Sequence, residues 1–217
     1  MKRISGILSL LILTMGLYGQ KDTKAEPYLD KFSKMVAGDK ALYFGFDYLR
    51  EDQQNNTDVE GTGNLVIMGD KYKLEVDEAI IFFDGETQFS LNQEIEEVYV
   101  SKPDPENTDF MFTDPIKSLK NYKETFKYRL MGELVKDGRN MVEIQLYPIE
   151  LGGPYALIKL FFTADTDELY SIVVRHKEGI LYTMTITSLE TKPDPGIDFF
   201  RFNQADFPSV DVIELID

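Results

Sequence analysis

The chain of 217 residues contains no cysteine, no tryptophan and one histidine, against 15 phenylalanines and 12 tyrosines. Without cysteine there is no disulfide framework, no thiolate metal site, no cysteine nucleophile and no thiol to carry a lipid. A lone histidine rules out histidine-rich metal sites, and acid–base chemistry would still need a positioned partner for it. Positive charge is also scarce: 23 basic residues stand against 38 acidic ones, a net charge of −15. That balance repels nucleic acid and offers no electrostatic attraction to anionic lipid, so neither is an expected partner through charge. Stability has to come from an apolar core.

One apolar run stands out, and it comes first. Lys2 and Arg3 precede an uncharged stretch over residues 4–18, and Gly19 supplies a small residue before Gln20. This is the three-part pattern of a secretory signal peptide, and the run is short for a membrane-spanning helix of ~20 residues. The expectation is a signal peptide at residues 1–19, export to a bacterial periplasm, and a single domain over residues 20–217.

Beyond a polar leader, Pro27 and the helical spacing of Tyr28, Leu29, Phe32, Met35 and Val36 predict a helix that Gly38 ends. The period then changes to two. Phe44, Phe46 and Tyr48 alternate with Tyr43, Gly45, Asp47 and Leu49, the pattern of a strand, and the polar run 51–58 reads as a turn or loop. Strand patterns follow at 63–68, 71–77, 79–83, 87–91 and 96–101, with Gly69-Asp70 and Asp84-Gly85 as turns. Pro103-Asp104-Pro105 opens a polar loop, and Asp114-Pro115 starts a helix carrying Ile116, Leu119 and Tyr122. Strands resume at 126–134, 141–147, 155–162, 169–175 and 181–189. The sum is about ten strands and two helices, and such tight turns imply antiparallel pairing.

No constellation for catalysis emerges. His176, between Arg175 and Lys177 at a strand end, reads as part of a charged turn. Asp77, Glu78, Glu94, Glu96 and Glu97 match no calcium-loop spacing and read as a solvated sheet face. Gly61/Gly63 and Gly152-Gly153 lack the Lys-Ser/Thr of a phosphate loop. The expectation is a protein that is not an enzyme, with no catalytic residue, no metal and no cofactor. The aromatic load on alternating positions fits either a filled core or a sheet curved around an apolar hollow.

The order of motifs adds a resemblance. Gly61-Thr62-Gly63-Asn64-Leu65-Val66-Ile67 leads to Lys71-Tyr72-Lys73-Leu74, then to Ile80-Ile81-Phe82-Phe83-Asp84-Gly85-Glu86-Thr87 and Glu97-Val98-Tyr99-Val100. Downstream stand Ile144-Gln145-Leu146-Tyr147-Pro148, Lys177-Glu178-Gly179, Phe199 to Phe202, and Phe207-Pro208-Ser209-Val210-Asp211-Val212-Ile213. Together, over residues 25–217, this resembles the LolA family of periplasmic outer-membrane lipoprotein carriers. The resemblance implies a mainly β fold with a few helices: an unclosed antiparallel β-barrel of about ten strands, covered by a helical lid and enclosing an apolar cavity for acyl chains. It implies acylated lipoproteins as cargo, an inner-membrane ABC transporter of the Lol type as donor, an outer-membrane acceptor, and a monomer. A LolA-like binding or sensor module for another amphiphile is the alternative. Two positions depart from the family: Gly69-Asp70 replaces its Arg-Pro, and Gln88-Phe89 replaces its tryptophan. Strand alternation nominates Phe44, Phe46, Leu65, Ile67, Tyr72, Leu74, Ile81 and Phe83 as cavity lining.

Overall fold

The computed structural model describes residues 21–102 and 113–215. The signal-peptide reading of residues 1–19 and the loop opened by Pro103 lie outside the described residues, as do the side chains of Asp114 and Pro115.

Helix α1 (Glu26–Val36) begins with Pro27 in its first turn and buries Leu29, Phe32 and Val36 at helical spacing. Six strands follow: β1 (Ala41–Asp52), β2 (Thr57–Met68), β3 (Lys71–Val76), β4 (Ala79–Phe83), β5 (Gln88–Asn92) and β6 (Glu97–Ser101). A second helical segment comprises α2 (Thr113–Ser118), the 3₁₀ turn Leu119–Asn121 and α3 (Tyr122–Thr125). It leads into β7 (Phe126–Lys136), β8 (Arg139–Pro148), β9 (Tyr155–Thr163), β10 (Leu169–His176) and β11 (Ile180–Lys192). A 3₁₀ turn, Ile197–Phe200, precedes β12 (Asp211–Glu214).

All the described strands form one 12-stranded sheet in the order β12-β6-β5-β4-β3-β2-β1-β11-β10-β9-β8-β7. Two meanders, β1 to β6 and β7 to β11, therefore join along a single seam between β1 and β11. The two edges, β7 and β12, do not pair, so the sheet is unclosed. Among the described residues, the expected count of about ten strands becomes twelve, and the expected two helices become α1 plus a segmented second unit. Pairing is antiparallel except at β12, which runs parallel to β6 and is reached through the long excursion of the rest of the chain. The polar run at 51–58 is also not a loop throughout. It is a tight turn at 53–56 flanked by strand, with Asn56 at φ 53° in the left-handed region. Here β1 and β2 pair as a ribbon with water on both sides of β2, so no apolar alternation is required of it.

Register aligns the apolar positions across strands. Phe44 faces Leu65, Leu65 faces Leu74 and Leu74 faces Ile81, while Ile67 faces Tyr72 and Tyr72 faces Phe83. These rows build one continuous face, which joins Tyr128, Ile144, Leu160, Ile172 and Met184 from the other meander in the main core. The opposite face of the first meander carries Ile80, Phe82, Leu91 and Val98. The segment that follows the 3₁₀ turn Ile197–Phe200 covers it, with Val210 buried there and Phe202 and Phe207 packed alongside. The Arg201 guanidinium donates to Asp84 at 2.8 Å and fixes this strap to the β4–β5 turn.

Candidate amphiphile-binding site

All eight nominated residues lie on the same inner face, in one cluster, and none is more than 7 % exposed. The cluster is continuous with Leu29, Phe32 and Val36 of α1 and with Ile116, Leu119 and Tyr122 of the second helical segment. The helices pack against this face, and the eight side chains share a core with them instead of lining the clefts at the surface.

Helical periodicity gives α1 three flanks. Leu29, Phe32 and Val36 point into the sheet. Glu26, Asp30 and Ser33, spaced four and three apart, meet the second helical segment. There the Tyr122 hydroxyl donates to Asp30 at 2.6 Å, the Ser33 hydroxyl donates to the Lys120 carbonyl at 2.9 Å, and Lys123 pairs with Asp30 at 3.2 Å and Glu26 at 3.5 Å. The Tyr128 hydroxyl donates to Glu26 at 2.9 Å, which ties the same flank to β7. The Tyr122 hydrogen bond, with Lys123 beside it, holds the Asp30 carboxyl below its usual range. Burial, reinforced by the bond to Glu26, pushes the Tyr128 phenol up to about 12.

The far end of the second segment is held differently. The Lys117 ammonium lies 4.8 Å from the Tyr72 ring centroid and 5.1 Å from that of Phe83, and Lys120 reaches Asp70 at 3.9 Å. A cation on the helix thus faces aromatic rings on the sheet, next to Gly69-Asp70. Sequence reasoning missed Lys117. Its one signal was a basic residue directly after the apolar Ile116, too common a pattern to single out.

The third flank of α1, Lys31 and Met35, overhangs a cleft of about 320 Å³. Phe162 and Leu169 from the β9–β10 hairpin and Ile186 and Leu189 from β11 form its apolar wall. Arg139, Thr163 and Glu168 are shared with an adjoining polar cleft of about 640 Å³. None of the nominated residues lines either cleft, because this one opens on the second meander and the nominations came from the first.

His176 is not part of an exposed charged turn, as its sequence neighbours suggested; it is 7 % exposed at the inner end of β10. Its Nδ1 accepts the Glu178 amide at 3.2 Å, and its buried Nε2 has no hydrogen-bond partner. No group of three or more His, Asp or Glu residues is placed to hold a metal among the described residues. No helix among them is long and apolar enough to cross a membrane.

No protein-family model and no curated protein sequence matches the chain. Solved structures do. An uncharacterized conserved protein from Thermus thermophilus aligns with a TM-score of 0.54 at 9 % identity, covering 88 % of this chain and 99 % of that one. A LolA superfamily protein from Nitrosomonas europaea aligns at TM-score 0.45 and 9 % identity, over 82 % of this chain and 97 % of that one. Among the solved structures this chain resembles are LolA-type proteins. They include a putative outer membrane lipoprotein-sorting protein domain from Vibrio parahaemolyticus, at TM-score 0.43 and 9 % identity, over 82 % of this chain and 94 % of that one.

Proposed function

We propose that this chain is a periplasmic carrier that takes the acyl chains of lipoproteins onto the inner face of its sheet, and that the second helical segment is the lid. The observation behind this reading is one apolar cluster shared between the sheet and two helical units whose mutual ties are polar and peripheral. Lifting the second segment strips Ile116, Leu119 and Tyr122 of their apolar contacts. At ~1.5–3 kcal/mol per side chain, that costs about 5–9 kcal/mol. Each acyl methylene buried in their place returns ~0.8 kcal/mol, so about six to eleven methylenes offset the displacement. Acyl chains are as apolar as the side chains they replace, and the exchange needs no catalyst.

Phe44, Phe46, Leu65, Ile67, Tyr72, Leu74, Ile81 and Phe83 are the surface such chains would meet. Export supports the same reading: the pattern of Lys2-Arg3, apolar run and Gly19 leads us to expect a mature protein that begins near Gln20, checked by intact mass. Donor and acceptor in this scheme are an inner-membrane transporter and an outer-membrane receptor.

The test exploits the missing tryptophan. A triacylated peptide carrying one tryptophan reports its own burial without background from the protein. Wild type should form a soluble complex with a blue-shifted, saturable signal. Phe83→Asp should fold yet lose the complex, since its carboxylate would sit unpaired against lipid. A folded wild type that leaves the peptide in micelles refutes the carrier.

A further inference from the structure

The cleft on the third flank of α1 is built into the backbone. In β11, Gly45 and Phe46 of β1 pair with Ser188 and Ile186, which leaves Thr187 as an extra residue. In β10, Phe162 and Phe161 pair with Leu169 and Ser171, which leaves Tyr170 as an extra residue. Both bulged residues line the cleft. A bulge bends its strand and interrupts the ladder, so two of them side by side make the wall of this cleft irregular. Gly45 sits close against the first: a Cβ there would lie 2.6 Å from Ser188 Oγ, which would have to turn aside.

Chemistry divides this space in two. The smaller chamber, about 320 Å³, has an apolar wall of Phe32, Met35, Phe162, Leu169, Ile186 and Leu189. Its volume is at the lower end of the ~300–1,000 Å³ usual for ligand sites, room for one chain and not three. The adjoining chamber, about 640 Å³, is polar, with Arg139, Asn140, Thr163, Thr166 and Glu168 around it. Opposite charges meet at the boundary. Arg139 lies over the Tyr170 ring at 5.1 Å, Lys31 donates to the Thr166 carbonyl at 2.7 Å, and Asp167 and Glu168 stand on the same turn. An apolar slot that opens into a polar chamber with both signs of charge matches a ligand with one tail and a zwitterionic head.

We propose that this cleft is a separate binding site for a single-chain zwitterionic amphiphile of the lysophospholipid class. The tail lies along Met35, Ile186 and Leu189, the phosphate faces Arg139 and Lys31, and the ammonium faces Asp167 and Glu168. This goes beyond carriage of multiply acylated cargo under the lid, because the cleft is open while both helical units cover the inner face.

The experiment titrates the mature protein with lysophosphatidylethanolamine carrying a fluorescent tail, and with an uncharged monoacylglycerol carrying the same tail. Wild type should take up one equivalent of the lysophospholipid saturably. Met35→Trp, which fills the slot, and Thr191→Trp, which narrows its rim from an exposed position, should each weaken uptake at least tenfold. Arg139→Ala should weaken the lysophospholipid severalfold and leave the monoacylglycerol unchanged. Phe83→Asp should keep lysophospholipid binding while losing the triacylated peptide. Absence of saturable binding to folded wild type overturns the proposal, as do tryptophan variants that bind as tightly as wild type. An Arg139→Ala variant that loses both probes equally overturns the head-group assignment. If the cleft binds its probe while the triacylated peptide fails to bind, the carrier reading falls and this site stands.

Discussion

Replacing Lys117 by methionine keeps the apolar stem and removes the charge that the second helical segment places over Tyr72 and Phe83. With the ammonium 4.8 and 5.1 Å from the two ring centroids, both contacts are within the ~6 Å range of a cation–π interaction. Each is worth ~0.5–1 kcal/mol near the surface, so the pair contributes about 1–2 kcal/mol to keeping the segment down. With the segment acting as the proposed lid, losing that much raises the population of the lifted form roughly 5- to 30-fold. When only the lifted form accepts cargo, apparent affinity rises in the same proportion. Lys117→Met should therefore bind the tryptophan-labelled triacylated peptide about tenfold more tightly than wild type. Lys117→Arg, which keeps the cation, should stay within about threefold. Amide hydrogen exchange across residues 116–125 should accelerate in the methionine variant alone. A methionine variant with unchanged or weaker affinity and unchanged exchange refutes the reasoning, because the contact would then not oppose opening.

Three further outcomes follow from the same geometry. Gly63→Ala places a Cβ 2.5 Å from Phe46 Cζ and 2.9 Å from the Glu75 carbonyl, and overpacking of that kind should cost about 1–3 kcal/mol in denaturant unfolding. Asp30 is held below its usual range by the Tyr122 hydrogen bond and then by Lys123, so its contribution is present at neutral pH and is lost as pH falls through its lowered value. Tyr128 runs the other way: raised from 10.0 to about 12, it contributes below pH 10 and loses that contribution as pH rises through about 12. Asp30→Asn should flatten the acid limb of a stability–pH profile and also soften the alkaline limb, because after burial the Asp30 carboxylate helps hold the Tyr122 phenol up. His176→Phe removes a buried N–H without a partner but also the Nδ1 that accepts the Glu178 amide, so the two effects offset and unfolding free energy should stay within about 1 kcal/mol of wild type, with peptide binding unchanged. A folded His176→Phe variant that binds no peptide would restore a functional role for the histidine.

The inner face was readable because its residues obey two constraints at once. Phe44/Phe46, Leu65/Ile67, Tyr72/Leu74 and Ile81/Phe83 each keep the two-residue period, and register then stacks them into rows. The first helix was readable for the same reason, with Leu29, Phe32 and Val36 on one stripe. Other features leave weaker traces. The outer ribbon of β1 and β2 is solvated, so its residues carry no hydrophobic period to detect. The bulges at Tyr170 and Thr187 shift register by one residue within their strands, and they become visible only once both partner strands are known. His176 sits between two cations in sequence, yet strand geometry turns its ring inward. The parallel pairing of β12 with β6 depends on a contact between distant segments that neither segment encodes alone.

The seam between β1 and β11 bears on how the chain reaches this state. Each meander assembles from neighbouring hairpins, whereas Ala41 must find Lys192 across most of the chain. Loop-closure entropy makes such a pairing late and slow relative to the hairpins on either side. Until it forms, two half-sheets each present a bare apolar surface, with nothing but other unfinished chains to cover it. Refolding from denaturant should accordingly yield less native protein as concentration rises, and a newly made chain would gain from any chaperone that shields those two surfaces until the seam closes.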